Sequence, residues 1–156
     1  MSDLPAFSVP RFRLGLDLLM DDFRVPSMYR LDNAAIIMPP VTNGDSTSLF
    51  RLSVEMDEEV DQEKLQTALD RTVKRFPYLA VQLKRGFFWY KLEPAEKPIT
   101  VEEDPQSPCL GLDPNVPGTC LMRVRSKGRR IACEMSHLMA DGRGGMRFTK
   151  TLVAEV

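Results

Sequence analysis

The sequence predicts an α/β protein of the α+β kind, a two-layer sandwich whose mixed, mostly antiparallel sheet carries its helices on one face. Three observations predict it. Two segments alternate apolar and polar residues and fold back on themselves at glycine turns. Another repeats its apolar residues every three or four positions, as an amphipathic helix does. The length, 156 residues, suits one core and is short for two.

The elements follow in chain order. RFRLGLDLLMDDF is read as a short helix with Leu14, Leu18 and Leu19 on one side, and MYRLDNAAIIMPPV as an extended arm ended by Pro39 and Pro40. After a turn at Asn43, Gly44 and Asp45, SLFRLSVEM sets Phe50, Leu52, Val54 and Met56 against Arg51, Ser53 and Glu55, a strand with one face in the core. Asp61 caps a helix that runs to about Arg75, with Leu65, Leu69, Val73 and Phe76 on its stripe and Pro77 as its stop. LAVQLKRGFFWYKL reads as a hairpin with a two-residue turn at Arg85 and Gly86. That turn puts Leu79, Val81, Leu83, Phe88, Tyr90 and Leu92 on one face and Ala80, Gln82, Phe87 and Trp89 on the other.

A proline-rich passage from Glu93 to Gly118 holds one short candidate strand, ITVEE. TCLMRVR and RRIACEMS then flank a turn at Lys127 and Gly128. Cys120, Met122, Val124, Ile131, Cys133 and Met135 share one face, and Arg123, Arg125, Arg130 and Glu134 share the other. The last segment repeats Met146, Thr149, Leu152, Val153 and Val156 at helical spacing, with no C-terminal cap.

Composition excludes several classes. Hydrophobic residues at 43% and charged residues at 28% are incompatible with wholesale disorder, and a net charge of -1 supplies no general field for nucleic acid or an anionic membrane. No window approaches a membrane span and no signal peptide opens the chain, so a cytoplasmic protein is expected. Cys109, Cys120 and Cys133, an odd set without a CxxC pair, are expected as buried thiols. With His137 the single histidine, a multi-histidine metal site cannot form within one subunit, and no metal is expected. The arginine-rich stretch Arg123, Arg125, Lys127, Arg129 and Arg130 reads as a solvated hairpin, with contact to the phosphates of a ligand as the sharper alternative. The spacing of Gly142, Gly144 and Gly145 matches neither GxGxxG nor a P-loop.

The chemistry-bearing segment is Ser136-His137-Leu138-Met139-Ala140-Asp141-Gly142, between a strand and a glycine-rich helix start. If strand parity continues past Met135, His137 points into the apolar interior, where a neutral imidazole serves as a general base for an alcohol or amine. Asp141 suits an N-cap, and Gly142 a turn that a side chain would obstruct. Gly144 and Gly145, at the helix start, offer backbone N–H groups to developing negative charge.

His137, Asp141 and Gly142 form HxxxDG, which resembles the signature of the acyl-CoA-dependent acyltransferases with the chloramphenicol acetyltransferase-like fold. From about residue 30 to 156, the order strand, acidic turn, helix, hairpin, motif, helix is similar to the amino-terminal lobe of these enzymes, and of alcohol acetyltransferases in particular. The resemblance implies a single lobe over residues 1–156 and transfer of an acyl, chiefly acetyl, group from acyl-CoA to an alcohol or amine. In that reading His137 is the base, Asp141 shapes the loop by pairing with an arginine, and Gly142 leaves room at the tunnel. Acyl-CoA would be a co-substrate rather than a resident cofactor, and no residues are assigned to hold it. Ser136 stands where condensation domains usually carry a second histidine. The expected second lobe is absent from these residues, so a homo-oligomer or a carboxyl-terminal lobe is expected to complete the site. The alternative is a non-catalytic binding or assembly module that retains the lobe fold.

Overall fold

The computed structural model describes residues 48–87, 90–105, 107–109 and 111–156. The helix expected around Leu14, the arm ending at Pro40, the turn at Asn43 to Asp45 and the positions of Phe88 and Trp89 lie outside them.

Strand β1 spans Leu49–Glu55 and leads to helix α1, Gln62–Arg75. Asp61 caps α1 by accepting from the backbone N–H groups of Glu63 and Lys64, Glu63 sits in the positive first turn, and Lys74 and Arg75 sit in the negative last turn. Pro77 opens a single 3-10 turn, Pro77–Leu79, that redirects the chain. Strands β2, Val81–Arg85, and β3, Tyr90–Pro94, pair antiparallel as a sheet of their own. The main sheet takes in β4, Val101–Glu103, β5, Met122–Lys127, and β6, Arg130–Ser136, in the order β1-β6-β5-β4, and α2, Gly142–Glu155, closes the described chain. Among the described residues only the β4–β5 pairing is parallel, so the sheet is mixed and mostly antiparallel, as the sequence leads one to expect.

Both helices cover one face of this sheet. Leu65 and Leu69 of α1 and Phe148 and Leu152 of α2 pack with Met122, Val124, Ile131, Cys133 and Met135 in one buried cluster. The helices meet each other at Phe76 and Phe148, whose rings stand edge to face at 5.7 Å. Burial pushes the Cys133 thiol up to about 11, so it stays protonated and packs as a small apolar group. A second cluster, Val81, Leu83, Leu92, Leu121 and Leu138, holds the small sheet to the main one. The link is continued by the Leu121 N–H, which donates to the Val81 carbonyl at 2.9 Å.

Both hairpin registers differ from expectation without exchanging faces. The first turn is four residues long, since Arg85 pairs with Tyr90. The second lies at Gly128 and Arg129, because Lys127 pairs with Arg130 and Gly128, at φ 58, fills the first loop position of a type II′ turn. Each slip is by an even number of residues between partners, so Val81, Leu83, Tyr90 and Leu92 stay together, as do Met122, Val124, Ile131, Cys133 and Met135. The stripe of α2 is rotated from the one expected. Gly145, Phe148, Thr149 and Leu152 are buried, whereas Met146 is 42% and Val156 37% exposed.

The face away from the helices is ionic. Glu134, with no exposed surface, accepts from Arg123 Nε at 2.6 Å and Arg125 Nη1 at 3.2 Å through one oxygen. Its other oxygen accepts from Arg51 Nη1 at 2.8 Å and from the Cys109 N–H at 2.9 Å. Arg51 also reaches Asp104, at 2.8 Å through Nη1. Arg123 and Arg125 are therefore not part of a solvated hairpin, nor are they aimed at a ligand's phosphates. They are buried against Glu134, and only Lys127, Arg129 and Arg130 of that run lie in solvent. Burial pushes the Glu134 carboxyl up, but the Cys109 N–H and the guanidinium groups of Arg51 and Arg123 outweigh it and hold the group below the usual carboxylate range. The Arg51 guanidinium does the same for Asp104.

One edge of the sheet is guarded by a side chain. The Val101 N–H donates to Gln66 Oε1 at 2.8 Å, and Gln66 Nε2 donates to the Ile99 carbonyl at 3.1 Å. The amide from α1 thus imitates a neighbouring peptide on the outer side of β4.

Candidate functional site

Strand β6 ends at Ser136, whose carbonyl accepts from the N–H groups of Met139 and Ala140 at 3.2 and 3.3 Å, closing a turn. The Ser136 hydroxyl accepts from the Leu138 N–H at 3.2 Å, and its own N–H is taken by the Leu121 carbonyl. A buried serine therefore holds the turn that carries His137. The His137 N–H donates to the Ser48 carbonyl at 2.8 Å, which continues the β1–β6 ladder by one step beyond the pair Leu49–Ser136.

The His137 side chain is not in the apolar interior. The residue is exposed, and its ring rests on Phe50, with centroids 4.7 Å apart and planes at 38°. The ladder step to Ser48 keeps strand parity and sets the ring against Phe50, but at the end of the sheet, where it stays exposed. Leu138 takes the buried position instead, in the cluster with Val81 and Leu83. The cavity of about 350 Å³ between β4 and the loop at Gly111 to Val116 does not include His137, nor does one of similar volume at Met56 to Asp61.

Asp141 caps α2, accepting from the Gly144 N–H at 2.7 Å. Among the described residues it forms no ion pair, so the arginine expected beside it is not found there. The Gly145 N–H is likewise spent, on the Asp141 carbonyl at 3.0 Å. The two amides expected to face developing charge are thus both engaged in the cap. Gly142 opens α2, and a Cβ there would meet nothing within 4 Å. A close approach occurs three residues later. A Cβ on Gly145 would lie 2.6 Å from Phe50 Cε2 and 2.9 Å from Cζ, so the absence of a side chain lets Phe50 lie against the first turn of α2.

The structure therefore brings His137, Asp141 and Gly142 into one strand–turn–helix corner and adds Ser48, Phe50 and Gly145 to it. In the sequence alone Phe50 reads as a core residue and Gly145 as an N–H donor at a glycine-rich helix start. What would have joined them to His137 is the β1–β6 register, a pairing between segments some eighty residues apart.

No family model and no curated protein matches the chain. Solved structures do. The starter condensation domain of rhizomide synthetase RzmA is 10% identical, with a TM-score of 0.64 over 80% of this chain and 36% of that one. The structure titled holo T3CT is 14% identical, with a TM-score of 0.58 over 82% of this chain and 33% of that one. Polyketide synthase associated protein 5 from Mycobacterium tuberculosis is 18% identical, with a TM-score of 0.52 over 68% and 28%. The chain spans about a third of the length of these structures. At such identities the likeness is one of fold: the chain has the chloramphenicol acetyltransferase-like lobe fold of condensation domains.

Proposed function

We propose that the chain is the amino-terminal lobe of an acyltransferase in which His137 is the general base. The acceptor is an alcohol or amine, and the donor is an acyl thioester, with acyl-CoA the form that the HxxxDG resemblance favours. The imidazole takes the proton from the acceptor as its oxygen or nitrogen attacks the thioester carbonyl. The thiolate leaves, and no acyl-enzyme forms. The observation that carries this reading is the exposed His137 ring at the corner between β6 and α2, held by its backbone to Ser48 and by its face to Phe50. A base placed at a surface needs a second body over it to exclude water, so a second lobe or a second copy of the chain is part of the proposal. Asp141 serves the corner by its cap rather than the proton, and Gly142 leaves the space at the helix start open.

The test is acyl transfer by the parent protein or assembled oligomer carrying His137→Ala. Loss of a general base lowers turnover by about 10²–10⁴-fold. Full turnover would remove His137 from the reaction. The same exposure of His137 also favours a second reading, a binding or assembly module of the same fold. That module predicts association without acyl transfer and without binding of acyl-CoA.

A further inference from the structure

We propose that Phe50 and Gly145 are positioning residues for His137, a pair that fixes the plane of the imidazole from outside the HxxxDG motif. The inference rests on the reading of His137 as the base and adds to it the means by which an exposed ring is held.

An exposed histidine has both side-chain torsions free, and each imidazole orientation it visits dilutes the one that can accept a proton from a bound acceptor. The backbone of His137 is fixed by the 2.8 Å bond to Ser48, but that bond leaves the ring free to turn. Phe50 supplies the missing constraint, with its ring centroid 4.7 Å from that of His137. Phe50 is itself only partly buried and takes its position from the packing on its other side. There the backbone of Gly145 comes so close that a Cβ would stand 2.6 Å from Phe50 Cε2, inside any tolerated contact. The order of dependence is therefore Gly145, Phe50, His137. A methyl group at position 145 would push the far end of the Phe50 ring away from α2 and disturb the imidazole that rests on it. The same methyl would also press on Leu52 Cδ1 at 3.2 Å, although alanine is in itself a better helix former than glycine.

The experiment uses the full chain and exploits its single histidine, whose C–H protons are an unambiguous NMR signal. The Phe50 ring current is expected to displace these protons from the free-histidine position. Phe50→Leu returns them toward it, and Gly145→Ala moves them while the α1 amides stay in place. In the Phe50→Leu background, Gly145→Ala is expected to move the imidazole signals less, because the Cε2 and Cζ atoms that it strikes hardest are gone and only the looser contact with Leu52 Cδ1 remains. If Phe50→Leu fails to fold, Phe50→Met removes the ring while keeping its bulk. Imidazole signals that are the same with and without the Phe50 ring would overturn the proposal, as would an equal Gly145→Ala effect in both backgrounds. In the assembled enzyme, Phe50→Leu is expected to lower kcat about tenfold at unchanged KM. An unchanged kcat would overturn the positioning role. Failure of the underlying reading has a different signature: full turnover in His137→Ala, with the spectral coupling of Gly145, Phe50 and His137 intact.

Discussion

The two faces of β6 are built by opposite means. Ile131, Cys133 and Met135 meet the helices in an apolar layer whose stabilisation comes from removing carbon from water. Glu134, between them in sequence, points the other way into three guanidinium groups and a backbone N–H. Neighbouring strands supply Arg51, Arg123 and Arg125, and the proline-rich loop supplies the Cys109 amide. The apolar face therefore joins helices to sheet, while the ionic face joins β1, β5 and a long loop to one carboxylate. The first tolerates changes of pH. The second depends on charge at every member.

Removing the centre of the ionic face is expected to have the largest effect. Glu134→Ala removes the buried carboxylate that Arg51, Arg123 and Arg125 share, leaving Arg125 its part-buried contact with Glu102 at 3.2 Å, a loss of about 3–5 kcal/mol. The loop should loosen with it, since the Cys109 N–H loses its acceptor. Urea unfolding gives the stability, and amide exchange at Cys109 gives the loop. The sign of the pH dependence follows from the lowered values of Glu134 and Asp104. Their stabilisation is complete above the ordinary carboxylate range, about pH 4, and disappears as pH falls through their lower folded values. The wild-type chain should therefore lose stability on acidification, and Glu134→Ala should lose less. Parallel acid profiles for the two proteins would mean that Glu134 is not the group that titrates.

The matching change on the apolar face is Leu152→Ala. Its side chain is fully buried, and the cavity left behind is expected to cost about 2–5 kcal/mol. Unlike the loss at Glu134, this one should be the same at pH 7 and below pH 4, because no titrating group is involved. A penalty that varied strongly with pH over that range would show that the helix layer and the ionic layer are coupled through the sheet.

The contrast also explains what the sequence made legible. Alternation showed which residues of β1, β5 and β6 share a face, and this survived the misplacement of both turns because an even slip preserves parity. The Asp61 cap and the Pro77 stop are local signals, and α1 begins and ends where they say. Alternation could not show whether the polar face meets water or another charged layer. Arg123 and Arg125, with Glu134 beside them in the hairpin, look like solvent residues until Arg51 arrives from a distant part of the chain and brings in Asp104. The site divides in the same way. His137, Asp141 and Gly142 are neighbours in sequence and are readable together, whereas the exposure of the imidazole follows from its place at the end of the β1–β6 ladder, against the ring of Phe50.

The smallest effect separates the two roles of Asp141. As the cap of α2 it satisfies the Gly144 N–H, and Asp141→Ala should cost about 1 kcal/mol. Asp141→Asn keeps an oxygen at the same place and caps a helix as well as aspartate does, so its stability should be that of the wild type. If capping is all that Asp141 contributes, Asp141→Asn also keeps acyl transfer in the assembled enzyme, and Asp141→Ala lowers it only as far as the helix start frays and His137 loses its support. A stable Asp141→Asn protein with turnover reduced as far as in His137→Ala would mean that the carboxylate charge itself is needed. The cap would then be incidental to its place in the motif.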